Sequence, residues 1–174
     1  MIFISHHRPA SLPPCVATIG CFDGVHRGHR FLIDQVCAEA QARGLHSALI
    51  TFPTHPRQVM HPEQAFEWLS CAEEKQALIA RLPADYCLLL PFTRELSMLS
   101  AREFMQLLSE RYHIRALVIG YDHHFGHNRS ESFPEYCQYG RELGMEVVQA
   151  KGMEENGTGI SSSLIRALLK EGDI

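Results

Sequence analysis

The chain reads as an α/β domain: a doubly wound, parallel, five-stranded sheet with helices on both faces. Three observations predict this. Short apolar runs alternate with helix-length amphipathic stretches, which is the pattern of βαβ units. A glycine-rich turn follows the first run, and 174 residues suit one sizeable core.

The elements follow in order. Cys15-Val16-Ala17-Thr18-Ile19 opens a strand over 15–20, and a helix over 27–43 follows it. Strands are expected near 46–52, 85–90, 115–120 and 145–150, with helices near 71–82, 100–112 and 133–143 and a last one from about 162. Ser100 with Glu103 forms a helix start signal, and Phe104, Leu107, Leu108 and Tyr112 then share one face as core. Ser70 before Cys71-Ala72-Glu73-Glu74 repeats that signal. No internal repeat, low-complexity segment or linker divides the chain, so residues 1–174 are read as a single domain.

Composition narrows the function. At 45% hydrophobic and 21% charged, the chain has the balance of a soluble globular protein. A net charge of −4 argues against general nucleic-acid binding, so positive charge needed for a ligand must be focused locally. Met1 to Pro14 lacks the apolar core of a signal peptide, and no apolar run approaches the roughly 18 residues that span a membrane. The six cysteines show no C-x-x-C pair. These features predict a reducing, cytoplasmic setting with no membrane or nucleic-acid partner; they specify no oligomeric state.

The decapeptide Gly-Cys-Phe-Asp-Gly-Val-His-Arg-Gly-His, residues 20–29, lies at a strand-to-helix junction. Gly20 and Gly24 permit a tight turn, and Gly28 leaves room for a nucleotide against the backbone. A helix starting near His26 puts His26 and His29 on one face of its first turn, where free N–H groups and the helix dipole favour anions. The spacing predicts a nucleotide-phosphate site. Ile160 to Arg166 reads Ile-Ser-Ser-Ser-Leu-Ile-Arg; hydroxyls at a helix start with Arg166 one turn after Ser162 suit a polyphosphate clamp. Gly120 to Arg129 carries Asp122, His123, His124, Phe125, His127 and Arg129, and is open to three readings: a metal site, a polar and aromatic pocket for an acceptor, or a surface loop. In a doubly wound sheet the loops after the strands converge at one end, so 20–29, 52–56, 120–129 and 157–166 are expected to meet. Pro53 to Pro62, rich in proline and histidine, is a candidate flap.

H-x-G-H after G-x-F-D-G-V resembles the signature of the nucleotidyltransferase superfamily. Further motifs narrow the resemblance: Thr51 to Pro56 is similar to T-F-x-P-H-P, Leu99 to Phe104 to L-S-A-x-E-F, Val118 to Arg129 to a flavin-side loop, and Ile160 to Arg166 to I-S-S-T-x-I-R. Together they resemble the FMN adenylyltransferase domain of prokaryotic FAD synthetases, commonly the N-terminal half of the bifunctional riboflavin kinase/FAD synthetase. The resemblance implies a Rossmann-like nucleotidyltransferase fold and transfer of AMP from ATP to FMN, giving FAD and pyrophosphate with Mg²⁺. It implies that His26, His29 and Arg166 carry the chemistry. Gly20, Phe22, Asp23, Gly28, Ser162 and Ser163 would bind ATP. His55, Pro56, Asp122 and Phe125 would lie on the FMN side, with Asp122 also a candidate Mg²⁺ ligand. Departures from the family pattern are Ser163 for threonine, Leu164 for a polar or basic residue, Thr54 for proline, Cys21 for asparagine, His124 for arginine and Ser132 for glycine. The sequence stops at Ile174, before the place where the kinase barrel would follow, so no riboflavin kinase activity is expected. Two alternatives remain: a cytidylyltransferase for a small phosphorylated alcohol, and a non-catalytic flavin-nucleotide sensing module.

Overall fold

The computed structural model describes residues 1–6, 12–120, 123–155 and 158–172. Its main sheet is built from β1 (Ile2–Ser5), β2 (Cys15–Ile19), β3 (His46–Thr51), β4 (Tyr86–Leu89), β5 (Ile114–Ile119) and β6 (Glu146–Gln149). All neighbours are parallel, in the order β1-β4-β3-β2-β5-β6. The five expected strands are present, but the sheet has six. The added edge strand, β1, places Ile2 opposite Tyr86 and Ser5 opposite Leu89. Four residues are too few for alternation to announce a strand, and its partner lies far along the chain.

The helices are α1 (Arg27–Arg43), α2 (Pro56–Met60), α3 (Ala72–Ala80), α4 (Arg94–Ser97), α5 (Ala101–Tyr112), α6 (Phe133–Leu143) and α7 (Ser162–Glu171). A two-stranded antiparallel ribbon, β7 (Glu154–Glu155) with β8 (Thr158–Gly159), precedes α7. Alternation along the central strands divides the core. Cys15, Ala17 and Ile19 of β2 join Phe104 and Leu108 of α5 and Tyr136 of α6 on one face. Val16 joins Val36 and Ala40 of α1 on the other, where Leu49 of β3 meets Ile33 and Ile79. Each fully buried Leu or Ile contributes roughly 1.5–3 kcal/mol through the hydrophobic effect. Helices therefore cover both faces, as a parallel sheet requires.

Local signals set the helix ends. The Ser100 Oγ accepts from the Glu103 N–H at 3.2 Å while a Glu103 carboxylate oxygen accepts from the Ser100 N–H at 2.8 Å, closing the expected capping box on α5. At α3 the expected cap shifts by one residue. Cys71 caps it, its Sγ accepting from the Glu74 N–H at 3.4 Å, because the Ser70 hydroxyl is engaged elsewhere, by Asp23 and Gly24.

From β2 the chain steps outward through β3 to β4, then returns to the other flank of β2 to lay down β5 and β6. The loops leaving β2 and β5 thus turn in opposite directions and open a crevice at the carboxyl ends of the strands.

Candidate functional site

The loop after β2 is held in a strained reversal. The Gly20 N–H donates to the Ile50 carbonyl at 3.0 Å, and a Cβ on Gly20 would come within 3.0 Å of the Phe22 ring. Phe22, Gly24 and Val25 then take positive φ values of 50°, 75° and 41°. For Phe22 and Val25 this conformation costs on the order of 1–3 kcal/mol each, offset where both side chains are buried in the core. The reversal delivers His26 to the N-cap of α1, where its Nδ1 accepts from the His29 N–H at 3.3 Å. In neutral His26 the ring proton therefore sits on Nε2.

The His26 and His29 rings stack with centroids 3.6 Å apart and planes 20° from parallel. The His26 Nε2 and the His29 Nδ1 are both buried and have no hydrogen-bond partner among the described residues. Burial lowers the pKa of His26, opposed by the Asp23 charge. Burial, then the neighbouring His26, pushes His29 down to about 3. Both rings are therefore neutral near pH 7, and His26 Nε2–H is an orphaned donor, costing roughly 1–3 kcal/mol. It lies beside the free N–H groups of a helix start, a combination that suits an anionic oxygen.

Asp23 ties this loop to two others. Its side chain is 2% exposed and accepts from the Leu69 N–H at 3.1 Å, the Ser70 N–H at 3.2 Å and the Arg166 guanidinium at 2.9 Å. The Ser162 hydroxyl donates to the Asp23 carbonyl at 3.1 Å, and Ser161 rather than Ser162 caps α7. Gly28 makes the approach of this segment feasible: a Cβ there would meet the Ile160 carbonyl at 3.1 Å. Arg166 also lies 5.0 Å over the Phe66 ring and within 3.4 Å of the Ser163 hydroxyl.

A cavity of about 620 Å³ opens where Gly20 and Cys21 leave β2; His26 and His29 are not among its described lining residues. Gly20 and Cys21, Phe52 with His55 and Pro56, Phe125 to His127 with Arg129, and Ser163 with Arg166 all line it, so the four loops do converge. Its wall combines Phe52, Phe92, Leu99, Phe104 and Phe125 with Arg57, Arg129, Arg166 and histidines 55, 61, 123, 124 and 127; no Asp or Glu is among its described lining residues. In a chain of net charge −4 this is the focused positive region. His55 caps α2, stacks on Phe66 at 4.0 Å and meets the Trp68 edge at 5.3 Å. Burial, with Arg166 and Arg57 nearby, lowers its pKa to about 4. Beneath, the buried Lys75 ammonium donates to the Phe52 carbonyl at 2.8 Å and lies 5.2 Å over Trp68.

Of the residues singled out from the sequence, His26, His29, Phe22, Gly28 and Ser162 gather on the α1 side, and His55, Pro56, Phe125, Gly20, Ser163 and Arg166 on the cavity. The Asp23 carboxylate is buried in contacts with the protein. Asp122 lies outside the described residues. Among the described residues no three His, Cys, Asp or Glu side chains gather as a metal cage. Phe66, Trp68 and Lys75 were not foreseen. Lys75 stands four residues before Ile79, on the buried face of α3, and that misplaced charge was its one signal. Among the described residues no helix is long and apolar enough to cross a membrane.

Residues 8–164 match the family model described as FAD synthetase. The chain is 32% identical over 161 residues to the bifunctional riboflavin kinase/FMN adenylyltransferase of Escherichia coli strain K12, covering 92% of this chain and 51% of that protein. It is 35% identical over 160 residues to the Pseudomonas fluorescens protein of the same name, covering 91% and 51%. The chain thus spans about half the length of these relatives. A solved structure described as a macrolide-efflux protein from Streptococcus pneumoniae superposes with a TM-score of 0.83 at 22% identity, over 100% of this chain and 58% of that one, a likeness of fold.

Proposed function

We infer the reaction from one premise: the chain belongs to the FAD synthetase family. The reaction proposed is transfer of AMP from ATP to the phosphate of FMN, giving FAD and pyrophosphate. The observation that carries it is the stacked His26–His29 pair, with partnerless buried nitrogens, on the same loop whose Gly20 and Cys21 line a cationic and aromatic cavity. A flavin ring fits an aromatic wall, and a phosphate fits the arginines and histidines.

An oxygen of the FMN phosphate attacks the α-phosphorus of ATP in line; the new P–O bond forms as the bond to pyrophosphate breaks. The attacking phosphate is already anionic, so no general base is needed. His26 and His29 donate to phosphoryl oxygens where charge develops, with the N-terminus of α1 behind them. Gly20, Phe22 and Gly28 border the nucleotide, and Ser162, Ser163 and Arg166 approach its phosphates from α7. His55, Pro56 and Phe125 hold the acceptor. A divalent cation such as Mg²⁺, carried on the ATP phosphates, would neutralise phosphate charge.

Chromatography of mixtures containing FMN, ATP and Mg²⁺ tests the reading, with parallel mixtures in which CTP replaces ATP or riboflavin replaces FMN. FAD from FMN and ATP alone is expected. A product formed only from CTP would point to a cytidylyltransferase.

A further inference from the structure

The Asp23 carboxylate occupies the most connected position in the site and touches no cavity space. One buried side chain accepts from the backbone of Leu69 and Ser70 and from the Arg166 guanidinium. Leu69 and Ser70 end the segment that carries His55, Phe66 and Trp68. Arg166 belongs to α7, whose Ser162 hydroxyl reaches back to the Asp23 carbonyl. The Arg166 guanidinium in turn lies over Phe66. Acceptor-side segment, carboxylate, arginine and aromatic ring form a closed circuit.

The contact with Arg166 is through a single guanidinium nitrogen. A bidentate pair would consume the donor fork; this one fixes the side chain and leaves further donors, one of them 3.4 Å from the Ser163 hydroxyl, on a residue that lines the cavity. Without Asp23, the guanidinium would face Arg57, Arg129 and several histidines with no carboxylate among the described lining residues. Asp23 is therefore what makes a half-buried arginine tolerable in a cationic cavity.

We propose that Asp23 is a positioning residue that acts through Arg166, fixing the guanidinium for phosphate and coupling it to the acceptor-side segment through Leu69 and Ser70. This rests on the adenylyltransferase reading above and gives Asp23 a role other than contact with ATP.

The test is a double-mutant cycle of Asp23→Asn and Arg166→Gln, reading kcat and KM for FMN and ATP, with thermal unfolding of each protein. Asp23→Asn alone is expected to lower kcat/KM about tenfold and to raise the KM for FMN, but to change the Arg166→Gln enzyme less than about twofold. A purely structural role would lower the active fraction, reducing kcat with both KM values unchanged and adding to Arg166→Gln; either result overturns the proposal. Should Asp23→Asn fail to fold, Ser70→Ala loosens the same junction without touching Arg166. It is expected to raise the KM for FMN severalfold, and unchanged KM values would overturn the proposal. Wild-type protein that makes no FAD defeats the underlying reading; FAD formation with additive effects in the cycle defeats this inference alone.

Discussion

The imidazoles of His26 and His29 lie face to face at 3.6 Å, and each holds a buried nitrogen with no partner among the described residues. Stacked rings at this distance do not both accept protons, so the pair offers N–H donors in place of two charges. Removing one preorganised donor of this kind typically costs on the order of 10²–10³-fold in rate. His29→Ala is expected to lose that much FAD formation with an unchanged circular dichroism spectrum. Near-normal turnover would contradict the assigned role.

The same burial sets a pH dependence. The pKa of His29 falls from 6.5 to about 3 on folding. Between those values the unfolded chain holds more protons than the folded one, so stability rises with pH through this window and falls as the solution is acidified. Urea midpoints measured across that range should climb with pH, and His29→Asn should flatten the climb.

A bound polyphosphate acts in the opposite sense. Negative charge beside His26 and His29 raises their pKa values, so binding takes up protons in mildly acidic solution. Calorimetry of a non-hydrolysable ATP analogue in buffers of different ionisation heat should show net uptake. His26→Ala with His29→Ala should abolish it.

On the acceptor side, His55 stacks on Phe66, meets Trp68 at near right angles and lines the cavity. His55→Ala removes the stack and the α2 cap together. The KM for FMN should rise roughly 2- to 10-fold, the range of one aromatic pair, with the KM for ATP nearly constant. Equal rises in both would place His55 outside the acceptor site.

Away from the site, Gly140 lets α6 lie directly on the start of β6. A Cβ there would collide with the Met145 carbonyl oxygen and meet the Val147 side chain at 2.8 Å. Gly140→Ala should destabilise the fold by about 1–3 kcal/mol in denaturant titrations, the usual cost of overpacking.

The elements built from local signals were legible in the sequence: the apolar run of β2, the Ser100–Glu103 box, and the loop after β2 with its two histidines. What escaped depends on contacts distant in sequence. β1 is a strand because Tyr86 to Leu89 offers it an edge. Ser70 is not a cap because Asp23 claims its hydroxyl and N–H. The Phe66–Trp68 cluster sits in a polar stretch with no period, and only the folded chain shows His55 packed against both rings.

The most direct test of the central claim is stoichiometry: FMN, ATP and Mg²⁺ incubated with the protein, with FAD and pyrophosphate both quantified. The account predicts equal amounts of the two, in many-fold excess over protein. FMN retained by the protein with no FAD beyond background would contradict it and mark the chain as a flavin-nucleotide binding module.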